Sequence, residues 1–191
     1  MSTLCVGSSH VKRFQSYCGT LGSYRTSADL FRISDLAPVN FFGISGGTVS
    51  NSCHLRLIQE AVKQYRPLFV IVQLGGNDLD NREDIVDLVI HKLVAFLTQL
   101  RQQFDLRKIT VIRLLPRENT RHVNKEDYNK RVIQANTLLK CLCHESGLSY
   151  WRLRGFTNST QAIFLDGVHL NSSGMHKYFR QIRGILLSQS H

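Results

Sequence analysis

No stretch of this sequence is apolar for long enough to cross a membrane. The longest apolar run, "PLFVIV" at residues 67–72, has the length of a strand, whereas a membrane-spanning helix needs about 20 apolar residues. The first residues also lack the charged segment and apolar core of a secretory signal. Repeats, low-complexity tracts and linkers are missing too, and 191 residues are enough for one sizeable core. The sequence therefore predicts a single domain over residues 1–191.

A disulfide framework is missing as well. The cysteines are odd in number and scattered along the chain: Cys5, Cys18, Cys53, Cys141 and Cys143. This usage is typical of free thiols in a reducing compartment, so we expect an intracellular protein, cytoplasmic or nuclear. The segment "CLCH" at residues 141–144 has metal-binding residue types, but it lies in a helical pattern, where residues two apart point to different faces. We therefore expect no bound metal, and no cofactor.

Acidic residues are few. Lys and Arg number 24 against 14 Asp and Glu, which gives a formal net charge of +10. Such a charge favours encounters with polyanions, so contact with nucleic acid or an anionic membrane surface is one interpretation. A solvated basic surface without a dedicated partner is the other, because no run of five basic residues occurs and the charges are spread along the chain. The sequence carries no signal for the oligomeric state.

What the sequence does have is a regular alternation of two patterns. Short apolar runs predict strands at Thr3–Gly7, Val39–Phe42, Leu68–Leu74, Lys108–Leu114 and Ser149–Leu153. Apolar residues at helical spacing predict helices at Ser50–Tyr65, Glu83–Phe104, Lys125–Ser146 and Ser172–Leu187. Strands that are apolar throughout are buried on both faces. Their alternation with helices predicts an α/β fold, in which helices cover both sides of a parallel sheet.

Three small polar loops follow the first three predicted strands. They are "GSS" at residues 7–9, "GISGGT" at residues 43–48 and "GGND" at residues 75–78. Ligands bind outside the carboxyl ends of such strands, so we expect the loops to meet at one edge of the sheet. Each loop alone has an ordinary explanation, because serines cap helices and glycine and asparagine form turns. The second loop lacks the G-x-G-x-x-G spacing of a dinucleotide site.

A fourth segment, near the C-terminus, favours a catalytic explanation. "FLDGVHLNSSG", residues 164–174, places Asp166 three residues before His169 on a glycine-containing turn. A carboxylate this close can hold one imidazole nitrogen by a hydrogen bond and leave the other nitrogen free to accept a proton. A sheet of this kind is expected to bring the turn back over the first strand, next to Ser9.

Together and in this order, the four segments resemble the blocks of the SGNH, or GDSL-type, hydrolases. "VGSSH" is similar to the nucleophile block, "GISGGT" to the glycine block, "LGGNDL" to the asparagine block and "DGVHLNSSG" to the acid–histidine block. The resemblance implies a three-layer α/β/α, flavodoxin-like fold with a five-stranded parallel sheet. It implies Ser9 as the nucleophile, His169 as the general base and Asp166 as the residue that orients it. The implied oxyanion hole consists of Ser9, Gly46 and Asn77.

The implied activity is hydrolysis of a small acyl ester. A serine hydroxyl attacks once a base takes its proton, and fixed donors stabilise the charge that develops on the carbonyl oxygen. Ser8 departs from the family pattern, which usually has Asp there, and we expect it to hydrogen-bond within the turn instead. His10, next to Ser9, is an alternative base, but we expect it to be a surface or lid residue, because adjacent residues diverge on a strand-to-helix turn. The same is expected of His91, His122, His144 and His176.

The substrate is less clearly encoded. No long insertion suggests a deep lipid tunnel, so we expect short acyl chains, acetyl above all. The apolar residues predicted to face the acyl group are Val49, Cys53 and Leu79. The basic loop at residues 116–130 offers three cations for an anionic group: Arg117, Arg121 and Lys125. The competing interpretation is a catalytically weak module of the same fold that binds nucleic acid or an anionic membrane through its basic surface.

A finer resemblance concerns the origin of the chain. The segments "GSSHV", "VQLGGNDL" and "DGVHLNSSGMHKYF" look like SGNH domains encoded by some animal retrotransposons. In LINE-type elements that domain lies beside nucleic-acid-binding or coiled-coil segments. These 191 residues contain no zinc knuckle, RNA-recognition motif or heptad repeat. A role with nucleic acid would therefore need flanking sequence or the basic surface itself.

Overall fold

The short apolar runs pair into one parallel sheet. The structure, a computed structural model, describes residues 2–22, 24, 26–156 and 163–189. The strands are β1 (Thr3–Gly7), β2 (Val39–Gly43), β3 (Phe69–Gln73), β4 (Lys108–Ile112) and β5 (Ser149–Trp151). Their order is β2-β1-β3-β4-β5, and every pairing is parallel. The predicted five-stranded parallel sheet is confirmed.

Helices form the connections between the strands. They are α1 (Ser9–Thr20), α2 (Ser27–Phe31), α3 (Ser52–Tyr65), α4 (Val86–Gln103), α5 (Lys125–Glu145) and α6 (Ser172–Leu187), with a short 3-10 turn at Asp78–Asp80. The four helices predicted from periodicity are all present. Helix α1 was expected after the first strand but without a predicted range. Helix α2 was not predicted, because five residues are too few to show a helical period. None of the helices in the described part of the chain combines the length and apolarity needed to cross a bilayer.

The helices cover both faces of the sheet. Side chains of successive strand residues point to opposite faces, so the strands contribute to two separate cores. Leu4 and Val72 belong to the core formed with α3, α4 and α5. Cys5 and Ile71 belong to the core formed with α1, α2 and α6. The chain thus has the three-layer α/β/α architecture implied by the resemblance.

Three predicted strands, β3, β4 and β5, end earlier in the structure than in the sequence pattern. The predicted range of β4 continues through Arg113 to Leu114, but the strand ends at Ile112. Leu114 is buried beyond the sheet, where its N–H donates to Oδ1 of Asn136 at 2.8 Å and its carbonyl accepts from Nδ2 of Asn136 at 3.0 Å. A side-chain amide thus replaces a neighbouring strand. Apolarity predicts burial here, but it does not predict which partner satisfies the backbone.

Candidate active site

Ser9 lies directly behind the carboxyl end of β1. A Cβ atom on Gly7 would lie 2.2 Å from the carbonyl oxygen of Gln73, so only glycine allows this close approach to β3. The N–H of Ser8 donates to the same carbonyl at 3.1 Å, and Ser9 then begins α1. The Ser8 side chain makes no capping hydrogen bond. The expectation that it would bond within the turn is therefore wrong, and backbone contacts hold the turn instead.

The C-terminal turn brings an imidazole and a carboxylate to Ser9. The Oγ atom of Ser9 lies 3.1 Å from Nε2 of His169, although 160 residues separate the two in sequence. Nδ1 of His169 lies 2.7 Å from Oδ2 of Asp166. The imidazole ring therefore bridges the hydroxyl and the carboxylate. These are the three side chains that the sequence predicts as the catalytic group.

The hydrogen bonds of Asp166 determine which atom is the donor in the two hydrogen bonds of the His169 ring, one to Asp166 and one to Ser9. Its Oδ1 accepts the backbone N–H groups of Val168 at 3.0 Å and His169 at 2.7 Å. Partial burial acts to raise the pKa of Asp166, but the hydrogen bonds from the His169 ring and these N–H groups outweigh it and hold the pKa well below its ordinary value. An ionised carboxylate only accepts, so Nδ1 of His169 donates to it. In the neutral ring Nε2 is then an acceptor, and the hydroxyl of Ser9 donates to it.

A glycine shapes the turn between Asp166 and His169. Gly167 has a φ of +80°, in the left-handed region. An added Cβ atom would also lie 2.6 Å from Cβ of Asn119. The carbonyl of Gly167 accepts the N–H groups of Glu118 at 2.7 Å and Asn119 at 3.2 Å. The loop after β4 therefore holds the turn in place.

Gly46 and Asn77, predicted as oxyanion donors with Ser9, line the same cleft as the serine. Gly46, in the loop after β2, has a φ of +69°, and no acceptor among the described residues takes its backbone N–H. Nδ2 of Asn77 donates to the carbonyl of Gly47 at 2.9 Å, which leaves the second N–H of the amide for another acceptor. Ser9 is the first residue of α1, so its N–H has no partner inside the helix.

A buried arginine holds the amide of Asn77. Nη2 of Arg117 donates to Oδ1 of Asn77 at 2.6 Å, and Nη1 donates to Oδ2 of Asp80 at 3.0 Å. The exposed fractions of the Arg117 and Asp80 side chains are only 8% and 5%. The guanidinium also lies over the ring of Tyr128, 4.9 Å from its centroid. The prediction that Arg117 meets an anionic group at the surface is wrong, because its guanidinium binds groups inside the protein.

His10 is buried, so the expectation that it lies at the surface is wrong as well. A carbonyl oxygen only accepts, so Nε2 of His10 donates to the carbonyl of Val168 at 3.2 Å. Burial, together with the positive charge of Arg117, lowers the pKa of His10 to about 3, and the ring is neutral at pH 7. His10 thus ties the start of α1 to the turn that carries His169. The other histidines predicted at the surface are exposed: His91, His122, His144 and His176.

An open cleft of about 700 Å³ surrounds these side chains. Most of the side chains that line it are polar or charged, and among the described residues that form it Val168 alone is aliphatic. Val49 and Leu79 were predicted to face the acyl group, but both are fully buried in the core, so that prediction is wrong. Cys53, the third residue of that prediction, is exposed. The cleft therefore offers hydrogen bonds and charge rather than an apolar tunnel.

The comparison with protein families decides the class of protein. The model of the GDSL-like lipase/acylhydrolase family matches residues 5–177. The chain belongs to this family. The acylhydrolase is accordingly an ester hydrolase, as the resemblance of the four sequence blocks implies. A search of curated proteins finds no significant match.

Solved structures share the fold of the acylhydrolase. A structure from Bacteroides fragilis has a TM-score of 0.79 at 17% identity, covering 100% of this chain and 88% of the other. Est24, a carbohydrate acetylesterase from Sinorhizobium meliloti, has a TM-score of 0.76 at 16% identity, covering 98% and 99%. A catalytic mutant of Axe2, an acetylxylan esterase from Geobacillus stearothermophilus, has 0.71 at 16% identity, covering 97% and 93%. At these identities the likeness shows the fold alone.

The interior residues around the acylhydrolase's cleft were missed by sequence reasoning. The carboxylate of Asp80 accepts the backbone N–H groups of Arg121 at 3.1 Å and His122 at 3.2 Å in addition to the guanidinium of Arg117. It therefore anchors the loop that forms one wall of the cleft. A signal was present, because an acidic residue follows the asparagine block closely. Its partner lies 37 residues away, a separation that no local spacing rule predicts.

Proposed function

We propose that this acylhydrolase removes short acyl groups, acetyl above all, from esters by way of a serine nucleophile. The observation that carries the proposal is the hydrogen-bonded chain from Ser9 through His169 to Asp166. In this role Oγ of Ser9 attacks the ester carbonyl while Nε2 of His169 takes its proton. The ionised Asp166 keeps Nδ1 protonated and stabilises the imidazolium that forms.

The remaining steps use the same groups in reverse. The protonated His169 gives its proton to the leaving alcohol, and an acyl group stays on Ser9. Water then attacks this acyl-enzyme with His169 again as base, which releases the acid and restores the serine. Each tetrahedral intermediate carries a negative oxygen, for which the backbone N–H groups of Ser9 and Gly46 and the amide of Asn77 are the proposed donors.

The acyl chain is proposed to be short because the cleft offers almost no aliphatic side chains. Burying one CH₂ group contributes about 0.8 kcal/mol to the free energy of binding. A long acyl chain gains this contribution only where aliphatic side chains cover it. Val168 is the one aliphatic side chain among the described residues that line the cleft. An acetyl group, by contrast, needs only its carbonyl to be held.

The test replaces the proposed nucleophile. Wild type should hydrolyse phenyl acetate and react with a fluorophosphonate at Ser9, whereas Ser9→Ala should lose labelling and about 10⁴-fold or more in kcat. Ser8→Ala, next to it in the chain, is the matched control and should still be labelled. A panel of phenyl esters should show activity that falls from acetyl to octanoyl. Equal activity of wild type and a folded Ser9→Ala would refute the catalytic assignment, and a preference for octanoyl would refute the assignment of chain length.

We further propose that the chain is the esterase domain of a retrotransposon-encoded protein that works inside the cell. The support is the resemblance of three sequence segments to such domains, together with five free thiols, of which Cys5, Cys18 and Cys143 are buried. Sequencing of the genomic flanks tests this, because a reverse transcriptase frame is expected nearby. Flanks that encode an unrelated cellular gene would refute it.

A further inference from the structure

The residues that line the cleft carry more positive than negative charge. Of the charged residues that line it, Arg117 and Asp80 pair with each other, and Asp166 is bound by His169. Three exposed cations are left over: Lys12, Arg13 and Arg121. None of them takes part in an ion pair among the described residues. The Asp166 carboxylate stays ionised beside the neutral His169 ring, so four cations (Lys12, Arg13, Arg117, Arg121) face two carboxylates (Asp80, Asp166), and the cleft keeps a formal charge of +2.

Two of these cations are placed by the same helix that carries Ser9. Lys12 and Arg13 follow Ser9 by three and four residues in α1, and residues at these spacings are neighbours on one helix face, about 5–6 Å apart between Cβ atoms. Ser16, one turn further on, also lines the cleft. Nζ of Lys12 donates to Oγ of Ser45 at 3.2 Å, so the ammonium group leans towards the loop that carries Gly46. The face of α1 that lines the cleft therefore carries Ser9 at its start and the polar side chains of Lys12, Arg13 and Ser16 in the following turns.

The third cation, Arg121, lies in the loop after β4, which the buried carboxylate of Asp80 holds in place. The backbone N–H of Arg121 donates to both carboxylate oxygens of Asp80 at 3.1 Å. Its side chain is exposed and lines the cleft. Lys125, predicted from the sequence as a further cation for this purpose, pairs with Glu118 at 2.5 Å instead and does not line the cleft. Arg121 is therefore the cation of this loop that remains available to a ligand.

We propose that the site selects acyl esters whose alcohol portion carries a phosphate group a few bonds from the ester oxygen. The inference rests on the proposed function, because it takes Ser9 as the point from which the alcohol extends. With the carbonyl carbon at Ser9, the leaving alcohol extends over Lys12 and Arg13, with Arg121 in the other wall. Guanidinium and ammonium groups are the donors that bind phosphate oxygens most strongly in proteins. Val168 is the one aliphatic side chain among the described residues that line the cleft, so an uncharged alcohol gains no comparable contact.

The experiment compares two aryl acetates that differ in charge but have phenol leaving groups of similar basicity, 4-acetoxyphenyl phosphate and 4-acetoxyanisole. The phosphate ester should have a kcat/KM about tenfold higher or more, expressed mainly in KM, and 0.5 M NaCl should abolish most of this preference. Lys12→Gln, Arg13→Gln and Arg121→Gln should each lower the preference about threefold while hydrolysis of the neutral ester changes little. Arg56→Gln, an exposed cation of α3 that does not line the cleft, is the matched control.

A second arm distinguishes a soluble phosphate from a lipid headgroup. It presents 1-palmitoyl-2-acetyl-glycerol-3-phosphate in neutral phosphatidylcholine vesicles. If only 4-acetoxyphenyl phosphate is hydrolysed efficiently, the cleft binds soluble phosphorylated alcohols. If the vesicle-bound lipid is hydrolysed faster than 4-acetoxyphenyl phosphate, the cleft binds lipid headgroups. Equal kcat/KM for the charged and neutral aryl esters, or a preference that survives the three substitutions together, would overturn the proposal.

Binding separates this proposal from the catalytic one. Ser9→Ala should still bind 4-acetoxyphenyl phosphate in calorimetry, more weakly at high salt, and the triple variant should not. Binding of this ester by a Ser9→Ala variant that hydrolyses acetate esters as fast as wild type would count against the nucleophile alone. Hydrolysis of phenyl acetate that depends on Ser9, without any preference for the phosphate ester, would count against the charge selection alone.

Discussion

Replacing Arg117 with glutamine should weaken catalysis although the arginine is expected to touch no reacting atom. Its guanidinium donates to Oδ1 of Asn77 at 2.6 Å and to Asp80 at 3.0 Å. A hydrogen bond to a charged group contributes about 1.5–3 kcal/mol, and removing one partner of a buried ion pair destabilises by about 3–5 kcal/mol. We therefore expect the free energy of unfolding to fall by about 3 kcal/mol. Without Arg117 the amide of Asn77 is held only through the bond from Nδ2 to the carbonyl of Gly47. Its position is then less well fixed, so kcat should fall about 10–100-fold, less than the loss of a whole oxyanion donor.

The assay combines kcat for phenyl acetate with urea denaturation of the same samples. Asp80→Asn is the matched control, because it breaks the ion pair but leaves the bond from Arg117 to Asn77, and it should lose stability while keeping most of its kcat. In an Asn77→Ala background, Arg117→Gln should lower kcat by about threefold at most, since the group it positions is already gone. A folded Arg117→Gln with unchanged kcat, or an undiminished effect in that background, would refute the reasoning.

Three further predictions follow from the site. Asp166→Asn should lower kcat about 10³–10⁴-fold, because an amide stabilises the wrong tautomer of the imidazole; steady-state kinetics on phenyl acetate test this, and a loss below tenfold contradicts it. The free energy of unfolding should fall as the pH decreases from 6.5 towards 3, because the unfolded chain then binds a proton at His10 that the folded chain does not, with a slope of at most about 1.4 kcal/mol per pH unit from this group. Urea denaturation between pH 4 and 7 should show a smaller slope in His10→Gln but not in His144→Gln, and equal slopes in all three proteins would exclude this origin. Gly167→Ala should lower kcat strongly, since the added Cβ atom would lie 2.6 Å from Cβ of Asn119. Gly155→Ala is the control, because Gly155 has a similar φ of +78° but nothing within 4 Å, and it should only lower the melting temperature. Equal kcat values in the two variants would contradict the role of the turn.

The sheet could be predicted from the sequence because burial on both faces leaves a strong local signal. Runs such as residues 69–72 are apolar throughout, and the intervening helices show a clear period. The ends of elements were harder to predict, since Leu114 is apolar and buried like a strand residue, but its backbone hydrogen-bonds to the side chain of Asn136. Helix α2 left no periodic signal at all, because it is little longer than one turn.

The parts of the site that could be predicted lie on loops directly after strands or before a helix. Ser9, Asn77 and His169 belong to short motifs whose place in a parallel sheet follows from general topology. The burial of His10 and Arg117 could not be predicted in this way, because burial depends on which side chains from distant segments pack over a residue. An arginine in a polar loop is usually solvated, and here only the carboxylate of Asp80 and the amide of Asn77 make the interior favourable for it.

The contact between Ser9 and His169 joins segments 160 residues apart, and this separation has a consequence for folding kinetics. Strands β1 to β4 can pair before α6 docks, yet such an intermediate would have the serine without its base. Contacts of long sequence separation form late, because closing a long loop loses chain entropy. Refolded protein should therefore regain its far-ultraviolet circular dichroism before it regains ester hydrolysis. Turnover in this protein reports the completion of folding rather than its onset.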